Sequence, residues 1–182
     1  MSNLYVPPCP TTCGSVADVS FNDCAPVRHW GEVSKLFLAD ASFAGFSDVS
    51  QLAEWTTNLS DTADNKIRTL IGIGDLPEPE ISEVETSGDR IARGFKTFTL
   101  PFEIDETNDT NYNFLLLAEC GQKFRLWFQT RDGQLYGGND GILASFNANL
   151  LIPRSKKELS KFMTVSKWDS LQSPFRCTSP MA

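Results

Sequence analysis

The stretch from Arg90 to Thr130, RIARGFKTFTLPFEIDETNDTNYNFLLLAECGQKFRLWFQT, decides how this chain folds. Phe98, Leu100, Phe102 and Ile104 alternate with Thr97, Thr99, Pro101 and Glu103. That period of two gives a strand one apolar face and one mostly polar face. Asn108 then precedes Tyr112, Leu115, Leu116 and Cys120 at helical spacing, and Gly121 supplies a stop. Phe124, Leu126 and Phe128 alternate with Arg125, Trp127 and Gln129, after which Asp132-Gly133 marks a turn. Strand, helix and strand in this order build a sheet with one helix laid on it. Trp127 lies opposite the apolar face of its strand, so it is expected to cover a second layer or an interface.

Outward from this unit the punctuation is clear. Val33 to Leu38 reads as a strand, and Ser47 or Asp48 as the cap of a helix over Val49 to Asn58 with Leu52 and Trp55 facing inward. Lys66 to Ile73 is a second strand, broken by Leu76-Pro77-Glu78-Pro79. Ile81 to Thr86 is an edge strand whose Glu83 and Glu85 discourage stray pairing, and Ser87-Gly88-Asp89 turns into the long strand. Further strands are predicted over Ile142 to Ile152, ended by Pro153, and over Phe162 to Trp168, with a helical turn at Ser155 to Ser160 between them. Gly72-Ile73-Gly74 and Gly137-Gly138-Asn139-Asp140-Gly141 read as turns or bulges. The predicted fold is α+β, mainly antiparallel β, with two helices and a single core. Residues 1–27 form an extended N-terminal arm, 28–168 the folded domain and 169–182 an extended C-terminal tail. The arm carries Pro7, Pro8, Pro10 and Pro26, and is held either by a neighbouring subunit or over its own domain.

At 182 residues, with 41% hydrophobic residues and 13 Phe, the chain suits one packed domain. No apolar run approaches the roughly 18 residues a membrane helix needs, and Met1 to Gly14 does not read as a signal peptide. Asn58-Leu59-Ser60 and Asn108-Asp109-Thr110 match the glycosylation pattern but read as helix-cap or turn chemistry. A net charge of −7 argues against a dedicated nucleic-acid binder, which neutralises phosphates with Lys and Arg. It is compatible with a channel along which DNA slides without sticking. Arg154, Lys156 and Lys157 form a basic patch suited to a neighbour's carboxylates.

Candidate chemistry is sparse. Cys9, Cys13 and Cys24 with His29 could supply four zinc ligands, but their spacing is not that of the usual close pairs, and small buried thiols are the simpler reading. Cys24 and His29 are the local candidates for a nucleophile pair, without a glycine-rich nucleophile turn. Glu78 with Glu80, Glu83 with Glu85 and Glu103 with Asp105 read as solvated strand faces before they read as paired catalytic acids. Asp132, Asn139 and Asp140 lack the trailing Glu of a calcium loop. The expectation is a protein with no catalytic, cofactor or metal site.

The order of elements resembles the tail tube and ring proteins of double-stranded DNA bacteriophages, nearest to those of phages infecting Bacteroidetes hosts, crAss-like phages included. The segments that carry the likeness are Gly31-Glu32-Val33-Ser34-Lys35-Leu36, Gly88 to Ile104, the helix ending in Glu119-Cys120-Gly121, Asp132-Gly133-Gln134-Leu135-Tyr136-Gly137 and Val165-Ser166-Lys167-Trp168. It spans about Gly31 to Trp168 and rests on element order, with no invariant signature. The resemblance implies a tail-tube-like β-sandwich or half-barrel with a flanking helix. It also implies a virion structural protein, made in the host cytoplasm, that forms homo-oligomeric rings in the tail or neck. Its partners would be other tail or neck proteins and the DNA in the lumen, with no membrane and no enzymatic role. The proline- and cysteine-bearing arm departs from the short N-termini of simple tube proteins. The alternative is a carbohydrate- or receptor-binding β-module, whose mark would be exposed Trp and Asp/Asn around one groove, such as Trp127 with Asn139 and Asp140.

Overall fold

The computed structural model describes residues 29, 31–62, 66–86, 90–155 and 157–181. The expected arm at 1–27, with Cys9, Cys13 and Cys24, and the turn at Ser87 to Asp89 lie outside the described residues. In chain order the elements are β1 (Val33–Asp40), α1 (Leu52–Ser60), β2 (Arg68–Gly74), β3 (Glu80–Thr86), β4 (Arg90–Ile104), α2 (Asp109–Ala118), β5 (Gln122–Thr130), β6 (Gln134–Tyr136), β7 (Ile142–Leu151), β8 (Lys161–Ser170) and β9 (Arg176–Thr178). The chain is α+β and mostly antiparallel, as the alternation of β4 and β5 predicts.

The sheet closes. Its neighbours run β1-β2-β4-β8-β7-β5, and β5 returns to pair with β1, which makes a six-stranded barrel. The expected sandwich or half-barrel is therefore corrected to a closed barrel. Closure removes the open edges a flat sheet would keep. The inward face is the apolar set read from the sequence. Across the β4–β8 seam Phe98 stands opposite Trp168 and Ile104 opposite Phe162, and across β1–β5 Leu36 stands opposite Phe128. These side chains are buried with Leu100, Phe102, Leu126, Ile142 and Phe146 in one cluster that fills the barrel. The interior is a packed core, not a channel.

The β2–β4 seam is the shortest, with two register pairs, Ile73 to Glu103 and Gly74 to Phe102. Glycine makes it possible. A Cβ on Gly74 would stand 2.6 Å from the Pro101 carbonyl and 2.7 Å from the Phe102 ring, and one on Gly72 would stand 2.7 Å from that same ring. The β1–β2 register slips between Val33 and Lys35, where β2 carries an extra residue opposite β1. Gly72-Ile73-Gly74 is thus a bulged strand segment at the closure.

Helix α2 covers one end of the barrel. Asn108 caps it as expected, its Oδ1 accepting from the Asn111 amide at 2.9 Å. Leu115 and Ala118 are buried, and Tyr112 and Phe114 make ring contacts with Phe162 and Phe124. Leu116 and Cys120, placed by spacing on the same stripe, are exposed.

A second core lies outside the barrel, against the expectation of a single one. The outward side chains Phe37 and Ala39 of β1 and Trp127 of β5 are covered by Phe43, Phe46, Val49 and Trp55. Trp127 has Phe46 and Trp55 at centroid distances of 5.3 and 5.8 Å. The expected second layer over Trp127 is this cluster. Helix α1 starts three residues later than read, because the Asp48 carboxylate is engaged by the Ser50 amide and hydroxyl in a turn of its own. Leu52 consequently faces solvent, at 54% exposure, and only Trp55 of α1 is buried. Where a helical turn is expected at Ser155 to Ser160, the described residues show one hydrogen-bonded turn, the Glu158 amide donating to the Ser155 carbonyl at 3.4 Å and the Lys157 amide to the Ser155 hydroxyl. Residues after 168 are extended as read, but they join the sheet: β8 runs on to Ser170, β9 pairs with β6, and Cys177 packs on the second core.

Candidate functional site

Cys9, Cys13 and Cys24 lie outside the described residues, and the other residues discussed here make contacts within the fold. His29 Nδ1 lies 2.7 Å from Asp132 Oδ2, and the Thr130 hydroxyl donates to the other oxygen of Asp132 at 2.5 Å. The Asp132 carboxyl is held below its ordinary range, first by the Thr130 hydroxyl and then by His29. Arg131 pairs beside them with Glu32. This group ties the chain before β1 to the β5–β6 turn. Asn139 accepts from the Val49 amide and donates to the Ser47 carbonyl, so its side chain docks the segment before α1. Glu103 pairs with Lys161 at 2.6 Å on the barrel wall. Burial pushes the Cys177 thiol up, with the charge of Asp48 adding to it. Among the described residues no three of His, Cys, Asp or Glu gather as metal ligands.

Trp127 is buried, and its indole donates to the Gly138 carbonyl at 2.7 Å. Trp55 and Trp168 are buried as well. A sugar platform of Trp127 with Asn139 and Asp140 does not form, since a stacking surface needs an exposed ring face. The glycine-rich loop from Gly137 to Gly141 is the wall of the Trp127 pocket.

Among the described residues the fold leaves strand edges open. Strand β4 is 15 residues long, and only Lys96 to Ile104 pairs with β8. Among the described residues its first part pairs with β3 alone, as a two-stranded ribbon. At about 3.3 Å per residue, the six residues before Lys96 carry the ribbon roughly 20 Å past the β8 seam. A register shift between Ile81 and Glu83 bends it. Gly94 sits at that shift, where a Cβ would stand 2.7 Å from the Ser82 carbonyl, and the Ser82 hydroxyl donates to the Phe95 carbonyl. Ile81 and Phe95 are exposed on the ribbon, at 43% and 51%. Among the described residues the outer edge of β3 has no strand partner.

A second open edge is on β2. Only Ile73 and Gly74 meet β4, so Arg68 to Ile71 have no strand on that side among the described residues. A groove of about 330 Å³ runs beside them, lined by Lys66, Arg68, Leu70 and, from α2, Phe114. The Arg68 guanidinium lies 5.5 Å from the centre of the Phe114 ring. Sequence reading found β3 and its edge character from Glu83 and Glu85. It missed the β2 edge, because only the barrel closure shows how little of β2 is paired.

No protein-family model matches the chain, and no curated protein matches it. No helix among the described residues is long and apolar enough to cross a membrane.

Proposed function

We propose that this chain is a virion structural protein whose copies assemble into a ring or tube of a phage tail or neck, around the channel through which DNA is ejected. The observation that carries the reading is the β3–β4 ribbon, which reaches past the barrel wall with an open strand edge and exposed Ile81 and Phe95. A free edge on an otherwise closed barrel is a template for pairing with another chain. In this reading the barrel with α2 across one end is a tail-tube-like domain. Because its interior is filled with side chains, the DNA passes between subunits around the ring axis. The chain's acidic balance suits a lumen wall that repels phosphate. Other tail or neck proteins stack on the ring, and the protein resides in the virion.

Native mass spectrometry of the full chain at micromolar concentration, with electron microscopy of the same sample, tests this. Closed oligomers or tubes are expected. A chain that stays monomeric at every concentration, alone and with adjoining tail proteins, overturns the reading.

A further inference from the structure

The two open edges are complementary, and we propose that they are the two halves of one contact: the β3 edge of one copy pairs with the free β2 edge of the next. This deepens the ring reading and rests on it. The first ground is charge. The described part of the β3 edge carries Glu80 and Glu83, both exposed, while the β2 edge starts beside Lys66 and Arg68. The second is apolar area. Ile81 on β3 is 43% exposed and Ile71 on β2 is 60% exposed, each on the strand that would pair. The third is direction. The open part of β2 is on the side that faces β4, whereas the open edge of β3 is on the side away from β4. The edges face opposite ways, so they do not meet within one chain. They suit a head-to-tail contact, which repeats around an axis.

Strand addition supplies backbone hydrogen bonds along the edge, and the groove beside β2 takes alternate side chains of the incoming strand. Glu80 approaching Lys66 and Arg68 on one face, with Ile81 meeting Ile71 on the other, favours this pairing over β3 on β3, where carboxylates would meet.

The test is a charge exchange in the full chain, read by sedimentation and native mass spectrometry. Two variants are made, E80K/E83K and K66E/R68E. Each alone places like charges across the contact and should raise the concentration for half-assembly at least tenfold. An equimolar mixture should assemble again, with the two variants alternating, because every contact in it joins opposite charges. Thermal melting of each isolated variant establishes that it is folded; should K66E/R68E not fold, K66E alone takes its place. Variants that assemble like the wild type, or a mixture that stays as dissociated as its components, overturn the contact while the ring reading stands. A wild-type chain that never assembles overturns both.

Discussion

The indole Nε1 of Trp127 donates to the carbonyl of Gly138 at 2.7 Å, beneath a loop with glycine at both ends. Gly137 and Gly141 have φ of +136° and +68°, and a Cβ on either would stand 2.5 Å from the Trp127 side chain. Left-handed backbone and close approach to a ring both require glycine here. The loop in turn holds the segment before α1, through the Phe46 amide on the Asn139 carbonyl and the Val49 amide on its side chain. One indole therefore organises the whole second core.

Gly141→Ala should destabilise the fold by about 2 kcal/mol or more, from left-handed strain and overpacking together. Trp127→Ala should lose about 3–5 kcal/mol through the cavity it leaves. Urea unfolding measures both. A neutral Gly141→Ala would mean that the loop is not pressed on the indole.

The barrel seam gives a second expectation. Gly74→Ala places a methyl group against the Pro101 carbonyl and the Phe102 ring, and should cost about 1–3 kcal/mol. Adding Phe102→Leu should return part of that loss relative to Phe102→Leu alone, since one of the two clashes is with the ring. Strictly additive effects in a double-mutant cycle would contradict the geometry.

The His29–Asp132–Thr130 group predicts a pH effect. The folded Asp132 carboxyl lies below its ordinary value of 3.8, so its contribution is present above that value and lost as pH falls through the folded value. Asp132→Asn should lower the urea midpoint at about pH 5, and the difference should shrink toward zero as pH falls through the lowered carboxyl value. A difference that stays undiminished in acid would show that the carboxylate charge is not involved.

The DNA expectation follows from charge and the ring reading together. With 23 acidic and 16 basic side chains, the free subunit should bind duplex DNA weakly at physiological salt. Gel shift measures this. Tight binding that weakens steeply as salt rises would point to a nucleic-acid-binding protein.

The sequence by itself determined the elements whose signal is local. The alternation at Phe98 to Ile104 and Phe124 to Phe128 set β4 and β5 with their apolar faces inward. Asn108 set the start of α2, and Asp132-Gly133 set a turn in which the Gly133 amide reaches the Thr130 carbonyl. These depend on φ and ψ preferences and on side-chain period, which neighbours in sequence carry. Only the tertiary structure decided what those faces meet. The return of β5 to β1 closed the barrel, and nothing in either strand's period specifies a partner. Trp127 was legible as covering a second layer or an interface, and the structure decides for the layer, because its cover comes from Phe43, Phe46 and Trp55, far earlier in the chain. Helix α1 began late because Asp48 bonded to Ser50, while the Val49 amide found Asn139 across 90 residues. The β2 edge left without a strand among the described residues belongs with these. Pairing, closure and the edges left over are set by long-range contact, and a pattern with a short period records only which side of a strand is apolar.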